Sequence, residues 1–363
     1  MHRTATAGDS AGAEWLAAEA RAFGAVVTVE EFALDRLDPV AAFLQIGGER
    51  IDGVPVFDAP PTGGEGVSGR LGSAGGECDI AVAELSARAV YTGEFERLRR
   101  TGAHRGFVVV CSGEAPGLGL INAEEYRRPY GAPAIHVSSE ARDVVLAATA
   151  QGAPARLVNE SRRVRAVGRN LVVELAGAEP SRPPLVVMTP RSSWWQSVSE
   201  RGGGIVCWLE SLHALLVASP TRRVIFTANT GHELGHLGLE DFIGRRPGWS
   251  QARHDGGATW VLYGANIGAA GGALSVMSPA DDLRELSNTE LTRVGQQHTM
   301  ASKHQVPSGE TRDLHRGGAH CLAINGTNRL FHLPQDRWPD AVDVPAVARI
   351  AAAGTHLVKA LAG

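Results

Sequence analysis

The sequence predicts an α/β protein in which a mostly parallel β-sheet is sandwiched by helices. Apolar runs typical of buried strands occur at Leu185–Met188 and Val224–Ala228, and a helix is predicted between them, over Gly204–Ala218. Further buried runs and a closing amphipathic helix, Val344–Leu361, continue the alternation. Strands that alternate with helices at this spacing indicate a sheet that is covered on both faces.

The composition is that of a globular chain. With 363 residues, of which 44% are hydrophobic and 20% charged, it can bury a full core in two domains or in one domain with a large insertion. The net charge of −4 and the dispersed arginines argue against nucleic-acid binding. We expect no membrane segment, because no apolar run is long enough, and a cytoplasmic location, because the N-terminus lacks the pattern of a signal peptide.

The cysteines are predicted to be free thiols. They lie far apart in the sequence, at Cys78, Cys111, Cys207 and Cys321. Two of them fall in apolar runs with the pattern of a strand or a helix. Buried free thiols are therefore expected rather than disulfides or a zinc knuckle.

The first part of the chain is predicted to form a helix, strands and loops. The helix covers Ala11–Phe23, with Asp9 or Ser10 as its N-cap, and Val26–Phe32 alternates like a strand. Residues 47–77 are rich in glycine and proline and are predicted to form loops and short edge strands. A small α+β unit follows, with strands Ala87–Tyr91, Phe107–Cys111, Pro133–Val137 and Pro154–Val158 and helices Glu94–Thr101 and Ser139–Thr149.

The stretch Arg222–Gly238 carries the most chemistry. Its strand runs through a turn into His232, Glu233 and His236, and a helix is predicted over His232–Ile243. Polar side chains that follow a strand of an open α/β sheet lie at its carboxyl edge, where ligands bind. Two imidazoles and a carboxylate at that edge indicate metal binding or acid–base chemistry. The other strands predicted after residue 164 are Asn170–Leu175, Leu185–Met188, Trp260–Ile267 and Cys321–Ile324.

Several motifs follow one another in a recognisable order: Arg169–Gly177, Phe226–Gly238, Gly317–Leu322 and Phe331–Asp336. Together they resemble the family of zinc aminopeptidases, glutamate-carboxypeptidase-like proteins and glutaminyl cyclases with a protease-associated insert. The resemblance covers nearly the whole chain. It implies a metallopeptidase-like α/β domain formed by residues 1–46 and 164–363, and an inserted α+β protease-associated domain at residues 47–163.

The resemblance also implies a reduced metal site. The family's first His-x-Asp falls on Thr189 and Arg191, and its second Asp falls on Ala265, so one of two zinc sites has lost its private ligands. The positions of the bridging Asp, the Glu ligand and the late His are occupied by Glu200, Glu233 and His332. Two carboxylates and an imidazole with an open fourth position suit one catalytic zinc ion.

His232 stands where the family has the Glu that takes a proton from metal-bound water. A neutral imidazole, with an ordinary pKa of about 6.5, can act as such a base or bind the metal. The alternative is that the position has drifted and His232 only fills space. His232–His236 also matches the His-Glu-x-x-His motif of zincins, but Gly235 and Gly238 disfavour the regular helix that this motif needs.

Four further residues are candidates for substrate binding. Trp194 and Trp195 either wall a substrate pocket or pack under the insert. Arg191 can clamp a carboxylate or phosphate. Glu310 falls near the loop that lies by the substrate in the family. The surrounding segment either rebuilds a metal site or forms a polar surface loop; its ionisable residues are His298, His304, Glu310, Asp313, His315 and His320.

Two functions follow from these patterns. The first is a single-zinc hydrolase or cyclase-type enzyme that acts on an amide-type bond of a small or peptide-like substrate. The second is a metal-free descendant whose cleft binds a ligand or partner. The residue types at Thr189, Arg191 and Ala265 favour the second function, whereas retention of Glu233 and His332 favours the first. A serine hydrolase is disfavoured because the candidate serines lack a Gly-x-Ser-x-Gly context.

Overall fold

The structure is a computed structural model that describes residues 2–89, 93–246, 258–264, 267 and 269–363. The α-helices within these residues are α1 (Ala7–Ala22), α2 (Glu94–Arg100), α3 (Arg142–Ala150), α4 (Val198–Ala218), α5 (Leu237–Gly244), α6 (Asp281–Arg293), α7 (Glu310–Arg316) and α8 (Val344–Ala362). The strands are β1 (Val27–Ile46), β2 (Glu49–Pro55), β3 (Val67–Ser73), β4 (Ile80–Ser86), β5 (Gly106–Ser112), β6 (Ala134–Val137), β7 (Pro154–Leu175), β8 (Leu185–Pro190), β9 (Val224–Asn229), β10 (Thr259–Tyr263), β11 (Leu274–Met277), β12 (His298–Met300) and β13 (His320–Asn325).

These strands join into one mixed sheet. Their order is β1-β2-β6-β5-β4-β3-β7-β9-β8-β10-β13-β11-β12, and β1 also pairs with β7. Strands β9, β8, β10 and β13 are parallel neighbours. The flanking strands β7 and β11 run antiparallel to β9 and β13. The protein is therefore α/β, with a parallel centre and antiparallel flanks on its larger half.

Side chains alternate between the two faces of this centre. Along β9, Val224 and Phe226 join one apolar core with Trp208 of α4, and that core also receives α1, α6 and α8. Ile225 points the other way, into a second core with Phe242 of α5. Because successive side chains of a strand face opposite sides, this all-apolar strand is buried between helices on both faces.

Residues between β1 and β7 build the smaller half of the sheet. Strands β3, β4, β5 and β6 are parallel, and β2 runs antiparallel to β6. Their core contains Leu44, Val108, Ile135 and Leu157, with Val145 of α3 packed on it. The predicted strands Phe107–Cys111, Pro133–Val137 and Pro154–Val158 overlap β5, β6 and β7. The predicted strand Ala87–Tyr91 is wrong, because the strand of this region is β4, which ends at Ser86 before Ala87–Ala89, and the rest of the prediction lies outside the described residues.

Strand β7 differs from the prediction of two separate strands. It runs without a break from Pro154 to Leu175 and pairs with β1 from Ile46↔Ala155 to Val27↔Val173. Its middle, residues 162–165, is exposed and rich in arginine, so side-chain patterning does not reveal it. Backbone pairing with β1 holds it extended instead. The predicted domain boundary between residues 163 and 164 falls inside this strand.

The cysteine prediction is confirmed, since all four are free and Cys111, Cys207 and Cys321 are buried. Within the described ranges, no helix combines the length and apolar character needed to cross a bilayer.

Candidate functional site

The candidate site lies at the carboxyl ends of β8 and β9. These strands are parallel neighbours, with Pro190 opposite Asn229, so the segments that follow them start at one edge of the sheet. The Ser192 hydroxyl donates to Oε2 of Glu233 over 2.8 Å and accepts the Gly231 N–H at 2.9 Å. This hydroxyl ties the segment after β8 to the segment after β9.

The turn after β9 is not the continuous helix predicted over His232–Ile243. Residues His232–Leu234 form a single 3-10 turn, Gly235 and His236 have φ values of 69° and 61°, and α5 starts only at Leu237. Left-handed backbone interrupts the helical hydrogen-bond ladder, and glycine adopts it without strain. The two imidazoles of the zincin-like motif therefore do not share one regular helix.

The first turn of α4 brings Glu200 and Arg201 to the same place. This helix begins at Val198, before its predicted start. The Asp336 carboxylate accepts hydrogen bonds from the Ser199 N–H at 2.8 Å, the Ser199 hydroxyl at 2.7 Å and the Glu200 N–H at 3.1 Å. Burial raises the pKa of Asp336, although the bonds from Ser199 oppose that rise. Asp336 thus fixes the helix end that carries Glu200.

A buried guanidinium connects the two candidate carboxylate ligands. Nη2 of Arg201 lies 2.6 Å from Oε1 of Glu233, and Nη1 lies 3.0 Å from Oε1 of Glu200. Its Nε donates to the Ser192 carbonyl oxygen over 2.6 Å. The side chains of Arg201, Glu200 and Glu233 are at most 3% exposed. Such charges are stable away from water only when they compensate one another.

This compensation sets the ionisation of Glu200. Burial by itself disfavours the charged carboxylate. The positive charges of Arg201 and His332 outweigh burial and hold the pKa of Glu200 far below its usual value of 4.5. Glu200 is therefore the anion of a buried cluster.

His332 approaches Glu200 with one ring nitrogen and is anchored by the other. Nε2 lies 3.2 Å from Oε1 of Glu200, and Nδ1 lies 2.6 Å from the Leu120 carbonyl oxygen. Since a carbonyl oxygen only accepts, Nδ1 must carry a proton. Neither Nε2 nor Oε1 of Glu200 forms a hydrogen bond within the described part of the chain.

A second set of imidazole–carboxylate pairs adjoins this cluster. His232 Nδ1 lies 3.2 Å from Oε2 of Glu310, and His236 Nδ1 lies 2.5 Å from Oδ2 of Asp313. The two imidazole centroids are 5.2 Å apart. Burial opposes ionisation of Glu310, but the charges of His232, His236 and Arg201 hold its pKa below the usual value.

Three histidines of the segment 298–320 have surroundings other than this set. His298 contacts the Gln296 carbonyl and Asn288, and His320 contacts Asp282. His304 is exposed. The residues of this segment that reach the candidate site are Glu310 and Asp313, both on α7.

The structure places three of the predicted substrate-binding residues elsewhere. Arg191 is buried and pairs with Asp9 of α1 at 2.6 Å. Trp194 is 1% exposed, stacks on Phe57 with centroids 4.6 Å apart and donates to Asn122. Trp195 is half-buried and donates to the His332 carbonyl oxygen over 2.9 Å. Arg191 and Trp194 therefore join parts of the fold, and of the two readings of Trp194 this contact favours packing under the segment 47–163.

Glu310 and His232 line a small pocket of about 40 Å³ beside the cluster. Its other lining residues are Arg88, Leu262, Gly264, Ser308, Gly309, Asn325, Gly326 and Phe331. The exposed Arg88 guanidinium lies over the Phe331 ring, 4.4 Å from its centroid. A Cβ at Gly264 would lie 1.6 Å from Oδ1 of Asn325, so only glycine leaves room for that amide. The pocket is lined by residues from both halves of the sheet.

The donor atoms do not fit the expected three-ligand zinc site. Both oxygens of Glu233 are engaged, one by Arg201 and the other by Ser192. Across the residues that the structure describes, no group of three or more His, Cys, Asp or Glu side chains is arranged to hold a metal ion. Thr189 contacts the Tyr263 carbonyl oxygen, and Ala265 lies outside the described residues. Judged by their contacts with the described residues, Glu200 and His332 are the two expected ligands that keep a donor atom without a hydrogen bond.

Comparison with solved structures identifies the fold. A zinc aminopeptidase from Bacillus subtilis superposes with a TM-score of 0.75 at 16% identity, over 99% of this chain and 89% of that chain. A peptidase M28 precursor from Shewanella amazonensis gives the same values. An aminopeptidase from an Aneurinibacillus species has a TM-score of 0.71 at 12% identity, over 97% of this chain and 88% of that chain.

The fold is that of zinc aminopeptidases. At these identities the likeness extends to the fold alone. No protein-family profile and no curated protein sequence matches the chain.

Two residues of the site were not anticipated from the sequence. The sequence offers a signal for Arg201, since it directly follows a candidate ligand and precedes an apolar run, where an unpaired charge is unfavourable. Arg88 carries none, because it comes from the smaller half of the sheet and reaches the pocket only through the tertiary fold.

Proposed function

We propose that this protein uses the aminopeptidase fold to bind a small or peptide-like ligand that bears an amino group. Glu310 carries the proposal, because it is fully buried, lines the pocket and forms no hydrogen bond through either carboxylate oxygen within the described residues. Its nearest ionic neighbour is His232 Nδ1, at 3.2 Å. A buried carboxylate gains several kcal/mol, on the order of 2–5, from charged donors that satisfy it, and an ammonium group supplies such donors.

The insert contributes to this site. In our proposal, residues 1–46 and 164–363 form the metallopeptidase-like part, and residues 47–163 form a protease-associated-like insert. Arg88 of the insert lines the pocket and stacks on Phe331. A carboxylate on the ligand would pair with Arg88, and an amino group would pair with Glu310. An amino acid or the end of a short peptide therefore suits both residues.

Thermal-shift assays and calorimetry with three matched probes test this function. Leucinamide carries the amine alone, leucine carries amine and carboxylate, and 4-methylpentanoate carries the carboxylate alone. We expect the two amines to bind and to lose binding in Glu310→Gln. The control Glu114→Gln changes an exposed carboxylate that lines other cavities and should bind as wild type. Equal binding of all three probes, or no binding, would refute the role of Glu310.

A second candidate is a single-zinc hydrolase that acts on an amide-type bond, with His232 as the base. The support is specific: Nε2 of His332 and Oε1 of Glu200 lie 3.2 Å apart, and neither forms a hydrogen bond with a described residue. His332 also donates from Nδ1 to the Leu120 carbonyl oxygen, which is the usual support of a metal-binding imidazole. Elemental analysis distinguishes the candidates, because this enzyme requires about one zinc per chain and loses it in Glu233→Ala and His332→Ala.

A further inference from the structure

We infer that Arg201 is a built-in replacement for a metal ion, and that a zinc site forms between Glu200, Glu233 and His332 when the Arg201 side chain is removed. This inference is independent of the ligand-binding proposal, because it concerns the charge cluster and not the Glu310 pocket. Glu200, Glu233 and His332 are the zinc ligands expected from the sequence. In the structure both carboxylates contact Arg201, and His332 contacts Glu200.

The position of the guanidinium is the first argument. Arg201 contacts one oxygen of each candidate carboxylate ligand, at 2.6 Å from Glu233 and 3.0 Å from Glu200. A cation that joins two buried carboxylates does what a metal ion does in such a site. His332 adds a third potential ligand, since its Nε2 lies 3.2 Å from the same Glu200 oxygen. Tetrahedral ligands about 2.0 Å from zinc are separated by a similar distance.

The fixation of the guanidinium is the second argument. Arg201 is 3% exposed and is held by the Ser192 carbonyl at Nε in addition to its two carboxylate contacts. All three guanidinium nitrogens of Arg201 therefore contact protein oxygens in a buried place, and the guanidinium occupies the space in which a metal ion would bind. A dication within a few ångströms of this guanidinium meets strong repulsion, because the surroundings are shielded from water.

The charge balance of the cluster is the third argument. Glu200 and Glu233 are two buried anions, and Arg201 is the permanent buried cation that contacts both. Without Arg201 the two carboxylates lose the cation that contacts both of them, which destabilises the fold. A zinc ion then restores the balance and finds three donor side chains. Binding of zinc to the folded variant should raise its stability by mass action.

The test compares wild type, Arg201→Ala and Arg201→Ala/His332→Gln after purification with a chelator and again after incubation with zinc sulfate. Wild type should hold less than about a tenth of a zinc per chain and show no change in Tm. Arg201→Ala should take up about one zinc per chain, with Tm rising by about 5 °C. The double variant should lose this uptake.

A matched control uses another buried ion pair. Arg99 contacts Asp58 at 2.7 Å with side chains 2% and 4% exposed, and among the described residues Asp58 is the one carboxylate that pairs with it. Arg99→Ala should also lower Tm, but zinc should not restore it. Stoichiometric zinc in wild type, or a folded Arg201→Ala that ignores zinc, would overturn the inference.

A charge-balanced variant covers the case in which Arg201→Ala does not fold even with zinc. In Arg201→Ala/Glu200→Gln/Glu233→Gln both anions are neutralised together with the cation. If Arg201 is the counter-ion of these carboxylates, the triple variant should be folded and should melt above any residual transition of Arg201→Ala. A triple variant no more stable than the single variant would overturn the inference.

Discussion

The carboxylate of Glu233 and the guanidinium of Arg201 lie 2.6 Å apart, and both are shielded from solvent. Ser192 occupies the other oxygen of Glu233 at 2.8 Å. A residue expected to bind metal is therefore fully engaged by protein groups. The fold is that of zinc aminopeptidases, but Arg201 and Ser192 occupy the oxygens of Glu233 that were expected to bind zinc.

Loss of the Glu233 charge should destabilise the protein. We expect Glu233→Gln to lower the free energy of unfolding by about 3 kcal/mol, because it leaves the buried Arg201 with one carboxylate partner instead of two. Urea denaturation followed by circular dichroism measures the change. Glu96→Gln is the control, since Glu96 pairs with Arg100 at 47% exposure and should change stability by less than about 0.5 kcal/mol. Similar losses in both variants would contradict the prediction.

Acid should destabilise the wild type partly through Glu200. Its pKa in the folded state lies below the usual value of 4.5, so its contribution is fully present above pH 4.5 and is lost as the pH falls towards the folded-state pKa. Between the folded-state and unfolded-state pKa values, each such carboxyl lowers the free energy of unfolding by about 1.4 kcal/mol for every pH unit of acidification. Unfolding measured from pH 6 to pH 3 should be less pH-dependent in Glu200→Gln. An unchanged slope would show that Glu200 is not the shifted group.

His236 should keep its proton to a higher pH than an ordinary histidine. Burial alone would lower the pKa of His236, but its hydrogen bond with Asp313 and the charges of Glu310 and Glu124 raise it above 6.5. An NMR titration of the imidazole resonances should show this shift in wild type and a lower pKa in Asp313→Asn. Asp282→Asn, which alters the partner of His320, should leave His236 unchanged. Titration of His236 below 6.5 in wild type would contradict the prediction.

Trp194 should matter for stability and not for ligand binding. Its indole is 1% exposed and packs on Phe57, away from the lining of the Glu310 pocket. We expect Trp194→Ala to lower the free energy of unfolding by about 3–5 kcal/mol. Leucinamide affinity, measured by calorimetry well below Tm, should stay within about twofold of wild type if leucinamide binds as proposed. A large loss of leucinamide affinity in a folded variant would contradict the prediction and indicate that Trp194 contributes to the ligand site.

The strongly patterned elements were predictable from the sequence. Val224–Ala228 and Leu185–Met188 were predicted as strands, and the structure extends each by one or two residues to Asn229 and Pro190. Such all-apolar strands are specified by burial on both faces. Helix α6 was not predicted, because its mean hydropathy is low and few of its residues are buried.

The candidate site was predictable in its residues but not in their contacts. The motifs brought Glu200, Glu233 and His332 together as a set, and these side chains are linked in the structure by ion pairs. The helix break at Gly235 and the position of Arg201 depend on left-handed backbone and on tertiary charge balance. Neither is visible in residue spacing, so the pattern alone left both the metal-binding and the metal-free functions open.

The pairing of β1 with β7 has a consequence for the smaller half of the sheet. Ile46 faces Ala155, so the chain leaves this ribbon and returns to it at adjacent points. A short hairpin joining those residues would close the ribbon, but it would expose Leu44 and Leu157, which pack in the core of the smaller half. The same deletion would strip Trp194 and His332 of their acceptors on Asn122 and Leu120, so this one segment supports both the ribbon and the site.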